Sequence, residues 1–484
     1  MRFLLDTNIL IPLEDSTLPL RDSLARFVRL AHENGHQLVF HPASEDDIGR
    51  DRDAERRQRT LERLGQYTRL EGRQPCPWNT ASTSPNDAAD NEILYALQCE
   101  AAHALVTEDR EIHDKARSRG LVHRVYTIQT ADDFLRRLHE PTYVRLPNIE
   151  DVPLHTLTQL LDSEFFNSLR EGYGGFNDWF REKARQGRKA WVYWDSPDQL
   201  GAICVYDRQD NERITDDGKV LAGAALKLCT FKVAPSCRGR KIGELFLKAA
   251  FRYATANRLE NIFIHGNADR QHFLLQLLEE FGFEDVGPYR GDAMYVKQHP
   301  AMPPVSNVGA FDYLRRYYPH FRHDESVTKF IIPIQPGFHE ILFPDYDTGQ
   351  LNLFRPSNMA GNAIKLAYLC HAQITTIRPG DVVLFYRSGD QRSITSIGVV
   401  EEYQMLRDAS EIAGLVSRRT VYSMAEIAEL SQKPTKVMLF RLVRHLSNPV
   451  SHEWLQSQGV VRGNIQSIRS IGHQQFETVI AAGG

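Results

Sequence analysis

Apolar and polar residues follow two periodicities, one typical of strands and one typical of helices, along the first 138 residues of the chain. Short apolar runs typical of β-strands occur in the segments "RFLLD", "HQLVFHP", "HALVTED" and "VHRVYTI". Between them, apolar residues recur at helical spacing in "PLRDSLARFVRLAHENG", "AERRQRTLERLGQY" and "NDAADNEILYALQCEAA". This alternation of strands and helices predicts an α/β domain with a parallel sheet.

The pattern changes twice further along the chain. Residues 140–298 combine strands such as "LCTFKV" and "NIFIHGN" with amphipathic helices, and end at the proline-rich segment "KQHPAMPPVSNVG". Residues 310–484 contain β-like runs such as "DVVLFYR" and "ITSIGVVEEY", with turns at "RPGD" and "RSGD". We therefore predict three domains, 1–138, 140–298 and 310–484, with parallel α/β, α+β and mainly β structure. The length of 484 residues agrees with about three domains.

Composition narrows the class of protein without identifying a partner. The chain is 42% hydrophobic and 25% charged, which is typical of globular proteins, and its net charge of -4 can still hide local basic faces. No segment approaches the ~20 apolar residues of a membrane helix, and the N-terminus lacks the pattern of a signal peptide. Its six cysteines form no CxxC pair. We expect a cytoplasmic protein with reduced thiols and no membrane partner.

Four acidic residues of the first domain have positions that predict chemistry. Asp6, Asp47 and Asp109 each come shortly after a predicted strand, at the sheet edge where open α/β folds bind ligands. Asp90 leads a helical apolar stripe, which continues through Ile93, Leu94, Leu97 and Ala101. Four acids in one crevice would repel each other unless a divalent cation joined them. Carboxylates suit Mg²⁺ or Mn²⁺, and such ions can organise phosphodiester hydrolysis.

The same acids have a purely structural alternative. Acidic residues near helix starts often cap the helix or interact with its dipole, and Asp87 or Asp90 could do only that. The segment "ASEDDIGRD" could be a solvated surface. Taken singly, each residue favours this alternative, but the joint position of the four at one edge favours a metal site.

The segments "LLDTNIL", "HPASEDDI", "NDAADNEIL" and "LVTEDREI" resemble the four acidic motifs of PIN-domain ribonucleases. The resemblance covers about residues 1–135, in the family's order and spacing. It implies a Mg²⁺- or Mn²⁺-dependent endoribonuclease with Asp6, Asp47, Asp90 and Asp109 as catalytic acids. Asp6, Asp90 and Asp109 are the implied metal ligands.

Two placements and one neighbouring segment stay open. Glu45 or Asp46 could take the place of Asp47, and Asp87 could replace or join Asp90. The arginine-rich segment "RDRDAERRQRTLERLGQYTRLEGR" could contact phosphates beside the crevice. Its own acids make a solvated helix with internal ion pairs an equal alternative.

The second domain contains a short basic loop, "CRGRKIG", between a predicted strand and a predicted helix. Backbone N–H groups at a helix N-terminus favour anions, and Arg238, Arg240 and Lys241 would add positive charge for a pyrophosphate. An ordinary strand–turn–helix connection is the alternative. Together with "NIFIHGN" and "RQHFLLQLLEEFGF", the loop resembles the GNAT acetyltransferase superfamily over 140–298. The resemblance implies acetyl-CoA as cofactor, with its contacts at Val233, Arg238, Gly239, Arg240, Lys241, Ile242 and Gly243.

The sequence departs from that family at two positions. Lys241 stands where the family usually has a glycine, and its side chain could crowd the phosphate or compensate through its charge. Leu278 stands where a tyrosine often donates a proton to the departing thiolate; Tyr289 and Tyr295 are nearby alternatives. His265 lies on a predicted buried strand, and we interpret it as a packed core histidine. A polyamine, a protein amine and an aminoacyl-tRNA amine remain open as acetyl acceptors.

The segment "AIKLAYLCHAQITTIRPGDVVLFYRSGDQRSITSIGVVEEY" resembles PUA-like domains of the ASCH and EVE kind. Gly380 and Asp381, before a strand that ends in Phe385 and Tyr386, carry this resemblance. It implies a small β-barrel that binds RNA or modified bases. We predict RNA contacts at Arg378, Arg387, Arg462 and Gln466. Surface arginines on a scaffold barrel are an equal alternative.

Proteins that pair PIN and GNAT folds resemble bacterial toxins or stress-response factors, which is an argument by analogy. The combined prediction is an RNA-directed protein with both endoribonuclease and N-acetyltransferase activity. Expected partners are RNA, including tRNA, a cognate antitoxin protein and a second copy of the chain. The main alternative is an acetyltransferase of a protein or small amine, whose PIN unit is a non-catalytic platform. A non-catalytic RNA-binding scaffold is the third hypothesis.

Overall fold

The computed structural model describes residues 1–14, 21–140, 149–238, 240–346, 364–416, 419 and 422–484. The chain divides into two compact units. The first contains Met1–Thr142 and Met405–Thr435, and the second contains Tyr143–Gln404 and Lys436–Gly484. Within the described residues, no helix is both long enough and apolar enough to cross a membrane.

The first unit is built on a five-stranded sheet in the order β3-β2-β1-β4-β5, with parallel pairing throughout. Its strands are β1 (Arg2–Leu5), β2 (Gln37–Phe40), β3 (Thr68–Arg69), β4 (Ala104–Val106) and β5 (Val125–Tyr126). The helices from this part of the chain are α1 (Thr7–Glu14), α2 (Asp22–Glu33), α3 (Pro42–Gly49), α4 (Ala54–Arg63), α5 (Pro85–Gln98), α6 (Arg110–Ser118) and α7 (Ile128–His139). The predicted parallel α/β sheet is confirmed.

Helix α5 positions one of the predicted acids. Its apolar stripe packs against the sheet, because Ile93, Leu94 and Leu97 share a core with residues of β1, β2 and β4. The helix is shorter than the sequence predicts, since it ends at Gln98 and Glu100 adopts a left-handed conformation with φ of 62°. Asp90 therefore lies one turn before the buried part of the stripe.

The central part of the second unit has a seven-stranded sheet in the order β11-β12-β10-β9-β8-β7-β6. Its strands are β6 (Ile149–Pro153), β7 (Lys189–Ser196), β8 (Gln199–Arg213), β9 (Val220–Val233), β10 (Asn261–Gly266), β11 (Glu284–Tyr289) and β12 (Asp292–Gln298). The helices are α8 (Asn167–Gly172), α9 (Phe176–Arg185), α10 (Ile242–Ala256) and α11 (Ala268–Glu280). Strands β9 and β10 are parallel and connected through α10, whereas the other neighbouring strands are antiparallel.

The C-terminal part of the chain contributes a six-stranded sheet in the order β14-β17-β16-β15-β13-β18. Its elements are α12 (Ala310–Tyr317), β13 (Lys329–Ile334), α13 (Pro336–Leu342), β14 (Lys365–Cys370), β15 (Val382–Arg387), β16 (Ser393–Leu406), α14 (Ala409–Val416), α15 (Met424–Leu430), β17 (Thr435–Ser451), α16 (His452–Ser457), β18 (Arg469–Ile471) and α17 (His473–Gly483). A closed barrel is not confirmed, because within the described residues β14 and β18 form two unpaired edges. Helices α14 and α15 group with the first unit. The three-domain division stays a prediction.

Helix α10 of the central part is joined to strand β14 of the C-terminal part. Both N–H groups of Ile364 and Lys365 donate to the Glu244 carboxylate, at 3.0 and 3.3 Å from Oε2. Nζ of Lys241 donates to the carbonyl oxygen of Lys365 at 3.2 Å. We call these four residues the α10–β14 junction. A buried carboxylate that accepts two backbone hydrogen bonds fixes the two elements against each other.

Candidate functional site

The seam between β9 and β10 opens partway along the central sheet. The two strands pair from Ala225 with Asn261 to Lys227 with Phe263, and in the described chain their pairing stops there. Beyond that point β9 still pairs with β8, and β10 still pairs with β12. The facing edges of 228–233 and 264–266 therefore present backbone N–H and C=O groups to a wedge-shaped opening. An extended ligand with amide groups can satisfy such edges.

Helix α10 begins directly after the loop that follows β9. Lys241 is its N-cap, adopts the left-handed conformation with φ of 56°, and gives the helix no side-chain cap. The first-turn N–H groups of a 15-residue helix are therefore left for an anion, which the helix dipole also favours. This arrangement fits the pyrophosphate of a nucleotide cofactor.

The three basic residues of the loop have different surroundings. Arg240 is bound to Asp195 at 2.6 Å and to the hydroxyl of Tyr193 at 3.2 Å. Lys241 is nearly buried and directs its ammonium group to the α10–β14 junction. Arg238 is exposed. The guanidinium of Arg238 is therefore the loop's accessible positive charge, and Gly239 lies outside the described residues.

The remaining predicted cofactor residues contribute backbone or packing. Ile242 is buried in the core beneath α10, and Val233 packs against the same core at the end of β9. A Cβ atom at Gly243 would lie 2.8 Å from Cδ2 of Leu277. The glycine is therefore explained by the close packing of α10 on α11.

The position at which the family often has a tyrosine acid lies in the apolar core. Leu278 is fully buried among core side chains. The hydroxyl of Tyr295 donates to Glu279 at 3.1 Å, and Tyr289 lies on the opposite face of the sheet, beside the core that contains Phe263.

His265, which the sequence predicted as a packed core residue, lies at a partly open position instead. Its side chain is 25% exposed, and Nδ1 is 2.9 Å from a carboxylate oxygen of Asp292. The prediction was wrong because His265 stands near the end of β10, where the edge is no longer covered. Asp292 is 27 residues away, so no short sequence motif could have indicated this pair.

The first unit brings the predicted acids into one electrostatic neighbourhood. Asp6 is buried, and burial together with the negative charges of Asp109 and Asp47 raises its pKa to about 6. Its oxygens accept hydrogen bonds from the Thr7 N–H at 2.7 Å, the Asn8 side chain at 2.7 Å and the Thr107 hydroxyl at 2.6 Å. The carboxylate at the end of β1 is thus held by three donors.

Asp90 shares this neighbourhood. Burial and the charges of Asp6, Asp109 and Asp47 raise its pKa to about 7, against the opposing effect of Lys115. Nζ of Lys115 lies 3.6 Å from Asp90 and 2.6 Å from Asp87. Asp87 therefore binds Lys115 most closely, whereas Asp90 takes part in the acid cluster.

Glu45 and Asp46, the two alternatives to Asp47, are each bound to an arginine. Glu45 forms two hydrogen bonds with Nε of Arg69, at 2.9 and 3.0 Å, and Asp46 is 2.6 Å from Arg73. Asp47 is bound to Arg50 at 2.9 Å and is close enough to raise the pKa of both Asp6 and Asp90. These contacts favour Asp47 as the second member of the cluster.

The predicted metal site is not supported. Across the described residues, no group of three or more His, Cys, Asp or Glu side chains is placed so that it could hold a metal ion. The hydrogen bonds explain this result, because Asp6 uses its oxygens on three donors and Oδ1 of Asp109 caps helix α6 at 2.7 Å from the Glu111 N–H. The acids as placed do not fit Mg²⁺ or Mn²⁺.

One of the predicted RNA contacts is already occupied. Arg387 is buried and bound to Asp390 at 2.5 Å and to Glu340 at 2.9 Å, so its guanidinium is neutralised by two carboxylates. Arg378, Arg462 and Gln466 are exposed. Their RNA contacts stay a prediction.

Comparisons with known proteins bear on the central part of the chain. Residues 154–283 match the model of the acetyltransferase (GNAT) family. A putative N-acetyltransferase from Lactobacillus plantarum is 18% identical, with a TM-score of 0.24 and coverage of 32% of this chain and 99% of that one. The ASCH protein from Zymomonas mobilis is 10% identical, with a TM-score of 0.25 and coverage of 32% and 96%. No curated protein matches the chain.

Both structural likenesses have low TM-scores. The family match is independent of them and contains the open β9–β10 seam, the basic loop and helix α10. The PIN resemblance of the first domain is not shown by these matches. Residues 154–283 form a GNAT acetyltransferase domain within a longer chain.

Proposed function

We propose that this chain is an acetyl-CoA-dependent N-acetyltransferase. The observation that carries the proposal is the open β9–β10 seam next to the uncapped N-terminus of α10. The family match to residues 154–283 supports the same activity. The first unit then serves as a platform for RNA or a partner protein.

Different groups of the protein suit the different parts of acetyl-CoA. The first-turn N–H groups of α10 and the guanidinium of Arg238 suit the pyrophosphate. The amides of the pantetheine arm suit the unpaired edges of β9 and β10, as in strand addition. When bound, acetyl-CoA supplies an activated acyl group as a thioester. Leu278 has no proton to donate, so the departing thiolate must obtain its proton from a group other than the family's usual tyrosine.

Calorimetry of the full chain with acetyl-CoA tests the binding, and a thiol-release assay with amines tests the transfer. We expect saturable binding and release of free CoA that depends on the amine. Desulfo-CoA is a control ligand, because it keeps the pyrophosphate and the pantetheine amides but cannot be an acyl donor. An absence of binding at millimolar acetyl-CoA would contradict the proposal.

A second candidate function is RNA cleavage in the first unit. The specific observation is that the charges of Asp6, Asp109 and Asp47 add to burial in raising the pKa of Asp90, although Asp6 lies 84 residues away in the chain. Clusters of ionisable groups with strongly displaced pKa values are typical of functional sites.

The test incubates the full chain with total cellular RNA, with and without manganese, and compares it with Asp6→Asn. Asp46→Asn is a matched control, because it removes an exposed acid that is bound to Arg73 outside the cluster. We expect cleavage by the wild type and by the control, and none by Asp6→Asn. Equal cleavage by all three proteins would remove the candidate.

A further inference from the structure

His265 and Asp292 form a pair on one side of the opening in the central sheet. His265 lies on β10, two residues beyond the last pairing with β9. Side chains alternate between the faces of a strand, so His265 shares a face with Phe263. Phe263 packs with Ile214 and Met294, whereas Ile262 and Ile264 pack with α10 and α11. His265 therefore faces away from the helix that would hold the pyrophosphate.

Hydrogen bonds fix which imidazole nitrogen is available. Nδ1 is 2.9 Å from Oδ2 of Asp292, which is 9% exposed. A carboxylate accepts, so the proton of a neutral imidazole lies on Nδ1 and leaves the lone pair of Nε2 free to accept a proton. Within the described residues, Nε2 forms no hydrogen bond. An Asp that orients a His in this way recurs in catalytic bases.

Two tyrosines, Tyr173 and Tyr289, lie close to the pair of His265 and Asp292. The Tyr173 hydroxyl donates to the same oxygen of Asp292 at 3.3 Å, and burial together with that charge raises the pKa of Tyr173 to about 12. Tyr173 comes from the connection between α8 and α9, so two separate parts of the domain converge on Asp292. The ring of Tyr289 on β11 lies 5.5 Å from the imidazole.

We infer that His265 is the base that takes a proton from the acceptor amine, with Asp292 and Tyr173 as positioning residues, and that the acceptor molecule also carries an anionic group. This inference rests on the proposed acetyltransferase function and names its acceptor site. It assigns a role on the face of the sheet opposite to the one that carries α10 and α11.

Acetyl transfer to the amine requires only His265, the acceptor, acetyl-CoA and water. His265 accepts one proton from the ammonium group R–NH3⁺ and becomes imidazolium. The free amine attacks the thioester carbonyl, a C–N bond forms, and the C–S bond breaks. The second amine proton passes to the departing sulfur, which gives neutral CoA thiol and the amide R–NH–CO–CH3. The imidazolium then releases its proton to water.

Two exposed arginines define the class of acceptor. Nη1 of Arg270, on α11, approaches the backbone of Gly172, which is next to Tyr173, closely enough that a Cβ there would lie 2.6 Å away. The guanidinium of Arg290, in the turn between β11 and β12, lies over the Tyr289 ring at 5.2 Å. Within the described residues, neither side chain forms an ion pair. Arg270 and Arg290 thus lie next to Gly172 and Tyr289, at the edges of the group around His265, and guanidinium groups there suit a carboxylate or a phosphate on the acceptor.

The first test measures kcat and kcat/KM for amine acetylation against pH in the full chain. His265→Gln should lower kcat by about 100-fold or more and remove the fall in rate on the acid side. The dissociation constant for acetyl-CoA should change less than twofold, because His265 faces away from α10. His155→Gln is a matched control at an exposed position and should keep the wild-type rate and profile.

The roles of Asp292 and Tyr173 are tested by the pH profile of the rate, because a mere loss of stability would not change that profile. Asp292→Asn should lower kcat and move the acid-side fall in rate to lower pH, because the imidazolium of His265 then loses the carboxylate that lies 2.9 Å from its Nδ1. Tyr173→Phe keeps Asp292 charged and should lower kcat with less change in the profile. Wild-type kcat and an unchanged profile in both His265→Gln and Asp292→Asn would overturn the inference.

Slow hydrolysis of acetyl-CoA provides a readout that needs no acceptor, since a base beside the thioester also activates water. A wild-type protein that does not bind acetyl-CoA overturns the proposed function itself. A protein that binds and transfers, but whose His265→Gln variant is equally active, overturns only this inference. A protein that binds acetyl-CoA but neither transfers nor hydrolyses it also overturns this inference.

Paired acceptors test the anionic group. O-phosphoethanolamine is compared with ethanolamine, and γ-aminobutyrate with butylamine, so that each pair differs in one anion. We expect about tenfold higher kcat/KM for the anionic member, and loss of that preference in the Arg270→Ala, Arg290→Ala double variant. Equal rates within both pairs, or a preference for spermidine, would overturn the assigned class.

Discussion

At the scale of single residues, two aspartates of the first unit are less acidic than free aspartate. The pKa is raised to about 6 for Asp6 and to about 7 for Asp90, mainly by burial and then by neighbouring carboxylates. The folded protein therefore binds these protons more tightly than the unfolded chain does. Ionisation destabilises the fold at high pH, and this penalty disappears as the pH falls toward 4.

Replacing Asp90 with asparagine tests, without any assay of activity, whether burial and neighbouring carboxylates penalise the charge of Asp90. We expect Asp90→Asn to raise the free energy of unfolding at pH 8 by about 1–2 kcal/mol, after allowance for solvent screening. At pH 5 the gain should be smaller, and it should vanish only as the pH falls toward 4, where Asp90 is protonated in the unfolded chain as well. Urea denaturation of the full chain at both pH values measures it. Asp46→Asn should show no gain at either pH, and a gain that is independent of pH would contradict the explanation.

Arg238 is the residue on which cofactor affinity should depend most. Its guanidinium is exposed, whereas Arg240 is bound to Asp195 and Lys241 to the α10–β14 junction. We expect Arg238→Ala to weaken acetyl-CoA binding by about tenfold, since a charge-assisted contact to a phosphate is lost. Calorimetry at two salt concentrations measures this, with Arg185→Ala as a control at an exposed position in the last turn of α9. Equal weakening by both variants would indicate a general effect of charge.

At the scale of elements, the α10–β14 junction links the start of the cofactor helix to the C-terminal sheet. Glu244 accepts two backbone hydrogen bonds at a buried position, and it lies in the first turn of α10. The junction therefore holds β14 against the first turn of the helix that we assign to the pyrophosphate.

Glu244→Ala should lower the free energy of unfolding by about 2–4 kcal/mol, because two buried N–H groups lose their acceptor. Glu244→Gln keeps a carbonyl oxygen at that position and should be clearly less destabilising. Chemical denaturation of both variants, followed in the second unit by tryptophan fluorescence, gives the comparison. Destabilisation by Gln equal to that by Ala would show that the hydrogen bonds are not the cause.

Local sequence patterns predicted most elements, because each depends on residues close together in the chain. Strands β1, β2, β4 and β5 and helix α5 follow from apolar periodicity. Strand β3 was missed because it has only two residues, both exposed, and no apolar pattern. The pair of His265 with Asp292 and the path of the Lys241 side chain depend on contacts 27 and 124 residues apart. No window of sequence contains both partners, so the site could be predicted only in part.

At the scale of the whole molecule, residues 405–435 complete the first unit although they begin at the end of β16 of the C-terminal sheet. Helix α14 buries Ile412, Ala413 and Val416, and it contacts α15, which in turn contacts α7. The first unit therefore includes apolar surface that the N-terminal 138 residues alone would leave exposed.

A fragment of residues 1–138 should accordingly be less stable than the same unit in the full chain. We expect a lower melting temperature and binding of a hydrophobic dye, both reversed when residues 405–435 are attached through a flexible linker. Thermal denaturation followed by circular dichroism measures this. A fragment 1–138 that melts cooperatively at the temperature of the linked form would contradict the expectation.

The return of residues 405–435 to the first unit means that the backbone passes between the two units three times, after Thr142, after Gln404 and after Thr435. A simple end-to-end fusion of independent genes would produce one passage between neighbouring modules. The parts of this protein are therefore not exchangeable cassettes. A recombination event that replaced the C-terminal part would also remove two helices from the N-terminal unit, so the parts must be inherited and altered together.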